Sequence, residues 1–282
     1  MEALKECYGD GSSDSDSESA PSIQAPAYSE GFTPLPPPPI SLLDPTNFLG
    51  PQDLQIGQTR VRSFPHVDGN YALHVYIPIN ISSQSKKELA VFLKKVSSQE
   101  PSLNVVDVDV PLNILCNNDE KLEQVALGRE FHISLGRTVP VRVHQIDSIV
   151  SMLRQKLQTQ HHYWIDFNKW EVFVNDDQTR TFLSLEVLQG GLVEITKQIE
   201  AVNTIYRLHN LPEFYKDPRP HISLAWALGD INHSLKKVVE EESKKYAVGE
   251  SLKKCIFNCK FKGVECKIGK KTYTICKILD GQ

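Results

Sequence analysis

His132-Ile133-Ser134-Leu135 and His221-Ile222-Ser223-Leu224 are one tetrapeptide written twice, 89 residues apart. Read as a β-strand, each copy sends His and Ser to one face and Ile and Leu to the other. A polar, reactive pair is thereby mounted on an apolar anchor. Two imidazoles and two hydroxyls converging from separate strands can hold a phosphate and move protons on both of its sides without a metal. The bare spacing His-x-Ser carries little weight, because 9 His and 23 Ser in 282 residues produce about 0.7 such spacings by accident. The signal is the four-residue repeat in a repeated setting: each copy follows a helix-like stretch and a turn, and precedes another helical pattern.

Upstream of the first copy, residues 71–79 (YALHVYIPI) are rich in strand formers. From Ser83 the period changes, with Leu89, Phe92, Leu93 and Val96 on one helical stripe. Residues 106–110 alternate Val and Asp and predict a half-buried strand. Gly128-Arg129-Glu130 then leads into the tetrapeptide. Downstream, Ile146, Ile149, Val150, Leu153 and Leu157 mark a second helix. Residues 163–174 are aromatic and extended, with a bend expected near Asn168-Lys169. Asn175-Asp176-Asp177 is a turn signal, and residues 180–187 return as a strand.

The second copy has a matching frame. Leu192, Ile195, Ile199, Val202 and Ile205 mark a long helix, and Asp217-Pro218-Arg219-Pro220 breaks the chain just before His221. Ile231, Leu235, Val238, Val239 and Tyr246 form a further helical stripe that stops near Gly249. Strands at 255–261, 264–268 and 272–279 close the chain, the last two joined through Gly269-Lys270-Lys271. The order strand, helix, tetrapeptide strand, helix, strand thus occurs twice. It predicts an α+β fold of two pseudo-symmetric lobes, about 51–160 and 161–282, facing each other across a cleft, with strands free to cross between them.

Residues 1–50 stand apart. They hold one Lys, no Arg and eight acidic residues, and include Pro34 and Pro36 to Pro39. Such a segment has too little apolar surface to offset its ordering entropy, so a disordered tail is expected. Its serines between acids are candidate phosphorylation sites and its proline run a candidate ligand for a proline-binding module, although a plain solvated tail is the simpler account. The remaining residues carry 30 basic and 27 acidic side chains, and residues 231–282 hold 12 Lys against 6 acids. A positive field of this kind favours an anionic ligand such as RNA, while lysine doublets on solvated helix faces explain the same residues.

No stretch approaches a membrane span, and the acidic start is unlike a secretory signal, which predicts a soluble intracellular protein with reduced cysteines. Cys255, Phe257, Cys259 and Phe261 share a strand face and read as core. The close Cys pairs of a zinc site are absent. His161-His162 would point apart on a strand. His66, His74, His144, His209 and His233 lack repeated context and read as structural or exposed.

This constellation resembles the two-histidine (2H) phosphoesterase superfamily, defined by paired His-x-Ser/Thr motifs on central strands of two lobes. Residues 129–135 (REFHISL) and 215–226 (YKDPRPHISLAW), with the acidic, proline-rich start, are similar to an RNA-trimming branch of it. The resemblance covers residues 56–282 by element order. It implies antiparallel sheets with helices on their outer faces, His132 and His221 as the catalytic pair, and Ser134 and Ser223 as ligands of phosphate oxygens. It also makes Tyr215, six residues before His221, the contact for the terminal nucleotide, whereas the residues alone favour packing against Pro218 and Pro220. The implied reaction is 3′-to-5′ trimming of a uridine-rich RNA end that leaves a 2′,3′-cyclic phosphate, with His221 as base, His132 as acid, and no metal or cofactor. A monomer in the nucleus is implied as well, although no strong basic targeting run is visible.

The chemistry stands independently of the resemblance. RNA carries its own nucleophile, the 2′-OH, beside each internal phosphate. One neutral imidazole can take that proton while one imidazolium protonates the departing 5′ oxygen. A cyclic phosphodiesterase or an RNA end-joining enzyme would use the same four residues. A non-catalytic RNA 3′-end binding module would need basic and aromatic groups rather than two proton-transfer residues, and a metallohydrolase would lose activity to a chelator.

Overall fold

The computed structural model describes residues 67–108, 110–249 and 255–278. The tail, Cys7 and His66 lie outside the described residues. The chain runs β1 (Asn70–Ile79), α1 (Ser83–Gln99), β2 (Asn104–Val105), α2 (Leu112–Leu115), α3 (Asp119–Lys121) with a π-helical turn (Leu122–Ala126), β3 (Phe131–Ser134), β4 (Val139–Arg142) and α4 (Val143–Leu157). It continues through β5 (Trp164–Phe167), β6 (Lys169–Val174), β7 (Arg180–Glu186), α5 (Leu192–Leu208), β8 (His221–Leu228), α6 (Asn232–Gly249), β9 (Phe257–Lys260), β10 (Gly263–Ile268) and β11 (Lys271–Lys277). The α+β class expected from the sequence is the class observed.

Alternation in β1 explains the first sheet. Leu73, Val75, Ile77 and Ile79 are fully buried on one face, which leaves the other face to His74, Tyr76 and Pro78. β1 lies inside a five-stranded antiparallel sheet ordered β11-β10-β1-β3, with β4 also paired to β1. Val139 and Val141 of β4 lie opposite Leu73 and Tyr71 and are buried. α4 packs against β4, β10 and β11, placing Ile149, Val150, Leu153 and Leu157 in the core. The second sheet is antiparallel, ordered β2-β8-β7-β6, and β5 pairs with β9 in a separate ribbon. The expected bend near Asn168-Lys169 is the point where the chain leaves that ribbon for the second sheet.

Elements cross between the halves of the chain. β10 and β11 come from its end yet extend the sheet begun by β1, and β2 comes from its first half yet pairs with β8. Helices cross as well. α1 follows β1 but packs on α6, and its Phe92 stacks on Trp170 of β6 with ring centroids 3.9 Å apart. α5 follows β7 but packs on α4, and Tyr206 donates to the Arg137 carbonyl just beyond β3. One continuous apolar core results. Among the described residues no helix is long and apolar enough to cross a membrane.

At its described residues, 106–108 and 110, the Val/Asp alternation does not form the expected strand. Strand pairing stops after Val105, and residues 106–108 form a turn closed by a bond from the Val105 N–H to the Val110 carbonyl. Asp107 adopts a left-handed backbone with φ 68°, a conformation that Asp tolerates better than most side chains. Arg129 holds its carboxylate at 2.9 Å, and Val108 is left exposed. A tertiary ion pair overrides the local pattern here.

Because Phe92 joins α1 to the second sheet from a buried position, Phe92→Ala is expected to lower the unfolding free energy by about 3–5 kcal/mol. Val91→Ala, on the exposed side of the same helix, should cost within about 0.5 kcal/mol. Denaturant titrations of the two variants check this.

Candidate active site

β3 and β8 approach each other where the two sheets meet. Ile133, Leu135, Ile222 and Leu224 are each buried to within 1%, so alternation turns His132, Ser134, His221 and Ser223 to the opposite faces, where all four are partly accessible. His221 lies near enough that its charge opposes protonation of His132. Burial lowers the His132 pKa, with Arg129, His221 and Lys267 adding to the effect and Asp107 opposing it.

His221 is held from two sides. Its Nδ1 lies 2.7 Å from the Arg219 carbonyl. A carbonyl only accepts, so Nδ1 carries the proton, and in the neutral ring Nε2 keeps its lone pair. The ring stacks on Phe173 at 4.1 Å. Burial lowers its pKa, while the Arg219 carbonyl and Glu186 work the other way.

Arg219 is fixed in turn. Its Nε and Nη2 donate to the two oxygens of Glu186 at 2.6 and 2.7 Å, and Nη2 also donates to Glu171 at 2.8 Å. Lys169 reaches the same Glu171 oxygen at 2.6 Å. Burial pushes the Glu171 pKa up, but the bonds from Lys169, the Val172 N–H and Arg219 outweigh it and pull it down to about 2. Strand register accounts for the cluster, since Glu186 lies opposite His221 and Glu171 opposite Ser184.

The serines have different neighbours. Ser223 Oγ lies 3.2 Å from Ser184 Oγ, beside a register shift at Leu183/Ser184 of the kind that re-aims side chains. The Ser223 carbonyl accepts from Arg129 Nη2 at 3.1 Å, and the Arg129 guanidinium lies over the Phe131 ring. Ser134 Oγ lies 3.0 Å from His74 Nε2.

Tyr215 stands apart from these four. It is half-exposed on the loop before β8, with the Arg137 guanidinium 4.1 Å above its ring. Arg137 also donates to Asp176 at 2.6 Å and to the Glu213 carbonyl at 3.1 Å. Tyr215 thus reaches the tetrapeptide strands through Arg137, three residues beyond Ser134. It borders a cavity of about 390 Å³ that Pro218, Phe214, Ile199 and Asn203 also line.

Sequence reasoning read His74 as structural or exposed and gave no site role to Arg129, Arg219, Glu171 or Glu186. His74 had a usable signal, because strand alternation puts it on the face of β1 away from Leu73 and Val75. The acid and arginine cluster had none, since it depends on the register of three strands. Among the described residues no three His, Cys, Asp or Glu side chains converge as a metal site would require. Burial pushes the Cys259 and Cys266 thiols up to about 12, as expected of core cysteines.

A family model, HVSL, described as an uncharacterised conserved protein, matches residues 36–276. U6 snRNA phosphodiesterase 1 of Xenopus laevis is 31% identical over 245 residues, covering 86% of this chain and 89% of that protein. The chain belongs to the HVSL family and, with such relatives, to the U6 snRNA phosphodiesterase family. The human U6 snRNA phosphodiesterase 1 is 29% identical over 256 residues, 88% of each chain. Among solved structures, Kluyveromyces marxianus Usb1 aligns at 11% identity and a TM-score of 0.48, covering 72% of this chain and 97% of that one.

Neutral, partly buried imidazoles in this member of the U6 snRNA phosphodiesterase family make its stability pH-dependent. The unfolded chain takes up protons below a pKa of about 6.5, whereas folded His74, with a pKa near 3, does not. Stability is therefore complete above about pH 6.5 and falls as pH is lowered toward 3, with His132 and His221 acting in the same direction. The thermal midpoint is expected to drop between pH 7 and pH 5, and to drop less in His74→Gln. Melting curves at matched ionic strength check both points.

Proposed function

We propose that this chain is a metal-independent 3′-to-5′ RNA phosphodiesterase that trims the oligouridine end of U6 snRNA and leaves a 2′,3′-cyclic phosphate. The observation that carries the reading is the meeting of two partly accessible His/Ser pairs, from β3 and β8, in a chain of this family. His221 acts as base: its Nδ1–H is engaged by the Arg219 carbonyl, so Nε2 is the atom that takes the proton from the 2′-OH. The 2′ oxygen then bonds to phosphorus while the bond from phosphorus to the 5′ oxygen breaks. His132 acts as acid and gives its proton to that 5′ oxygen, so the terminal nucleoside departs with a 5′-OH. Ser134 and Ser223 donate to the non-bridging oxygens, where negative charge concentrates.

Both imidazoles are biased toward the neutral form by burial, and an incoming phosphodiester supplies the negative charge that favours protonating one of them. Tyr215, on its Arg137 support, offers a stacking face for the terminal uracil. The working unit is residues 51–282 as a nuclear monomer, with residues 1–50 outside the catalytic machinery.

His132→Ala and His221→Ala are each expected to lower cleavage of a 3′-oligouridine RNA by about 100- to 10,000-fold with circular dichroism unchanged. Ser134→Ala or Ser223→Ala should cost about tenfold, the loss of one hydrogen bond. EDTA should leave the rate unchanged, and a 2′-deoxy sugar in the penultimate nucleotide should stop release of the last one. Wild-type turnover by His221→Ala, or efficient cleavage of the deoxy substrate, would sink this mechanism.

The profile of kcat/KM against pH reports the free enzyme, whose two histidine pKa values are lowered. Its bell is expected to centre below about pH 6.5, and the bell for kcat to lie at higher pH because bound phosphate favours imidazolium. Coincident bells centred above pH 7 would contradict the electrostatic reading.

A further inference from the structure

Ser134 and Ser223 hold equivalent places in the two tetrapeptides, yet their supports differ in kind. Ser223 faces another hydroxyl, and either of that pair can donate. Ser134 faces an imidazole nitrogen, His74 Nε2, at 3.0 Å. Tyr76 lies directly opposite Ser134 in the register of β1 and β3, and His74, two residues earlier on the same face, reaches the serine on the diagonal. The His74 ring is held on further sides. It stacks on Tyr76 at 5.1 Å, meets His132 edge-on at 4.9 Å, and lies opposite Lys267 of β10. Tyr76 is itself anchored by donating to Glu265 at 3.0 Å.

A serine that gives its proton to a phosphate oxygen has only lone pairs left for its other neighbour, so that neighbour must donate. Burial, then His132 and Lys267, lower the His74 pKa to about 3, so the ring is neutral and a single nitrogen carries its proton. With the proton on Nδ1, Nε2 would draw the Ser134 proton toward itself and leave the serine's lone pairs facing a phosphate oxygen.

We propose that His74 is a positioning residue that donates Nε2–H to Ser134 Oγ and thereby aims the Ser134 proton at the substrate phosphate. The proposal rests on the reading above in which Ser134 binds that phosphate. No proton is transferred in this step; His74 fixes the direction of a hydrogen bond. The two serines then differ in readiness, Ser134 being oriented before substrate arrives and Ser223 sharing its proton with Ser184 until it does.

The test is a double-mutant cycle in the full-length chain with a 3′-oligouridine RNA. The glutamine amide nitrogen can stand where Nε2 stands, whereas asparagine falls short of Ser134. His74→Asn is expected to lower kcat about tenfold with KM changed less than about threefold, and His74→Gln to stay within about threefold of wild type. In a Ser134→Ala background, His74→Asn should change kcat less than about twofold, because the bond it removes is already gone. His74→Phe, which keeps the stacked ring without its nitrogens, carries the same expectation as His74→Asn and replaces it if that variant fails to fold. Equal activity of the Asn and Gln variants, or a His74 effect undiminished in the Ser134→Ala background, overturns the proposal. His132→Ala in the same assay separates the two readings: cleavage by that variant overturns the two-imidazole chemistry, whereas additivity of His74 and Ser134 overturns only the role of His74.

Discussion

The arrangement depends on one constraint, the two-residue period of a β-strand with one face sealed in the core. Ile133 in β3 and Leu135 just after it, and Ile222 and Leu224 in β8, have almost no exposed surface. Burying such side chains is worth about 1.5–3 kcal/mol each. A slip of one residue in either strand would forfeit that burial and turn His and Ser into the core. The energy that fixes the register of these strands is therefore the same energy that aims the four polar groups, and no separate device is needed to present them.

That economy has an electrostatic consequence. The polar groups stand on the inner margin of a largely apolar structure, so the imidazoles lose hydration and favour neutrality. Arg129 and Lys267 strengthen this bias at His132, and Asp107 works against it. A site with neutral imidazoles and fixed cations suits an anionic ligand, because the ligand supplies the charge that lets one imidazole protonate. Carboxylates are present, but they are engaged elsewhere: Glu171 and Glu186 are taken up by Arg219 and Lys169, and Asp107 by Arg129.

Much of this was legible in the sequence because it is local. The tetrapeptides, the helical stripe from Ile146 to Leu157 and the alternation in β1 need only neighbouring residues to be read, and each has its counterpart in the structure. What failed was also local reasoning, applied where a distant partner decides. The Val/Asp run at 106–110 has the pattern of a strand, yet Arg129 captures Asp107 and the chain turns. The exchange of α1 and α5 between sheets has no sequence signal, since an amphipathic helix shows that it packs and not against which sheet. His74 is the intermediate case: alternation gives its face, but only the register of β1 against β3 shows that it meets Ser134.

The two tetrapeptides are identical in sequence and unequal in setting, and the opposite roles proposed for their histidines rest on that inequality. His221 is braced by a carbonyl at Nδ1, a stacked Phe173, and an arginine that two buried glutamates hold in place. A carbonyl at Nδ1 leaves the lone pair of the neutral ring on the other nitrogen, the arrangement the proposed base role uses. His132 is bounded by the His74 and Tyr76 rings and by the charges of Arg129, Lys267 and Asp107, so its protonation follows the charge of whatever enters. Residues outside the repeat therefore break its symmetry: Arg219 and Glu186 on one side, His74 and Lys267 on the other. Exchanging the tetrapeptides would change nothing in the sequence; exchanging their supports would exchange the settings of the two histidines, and with them the roles proposed above.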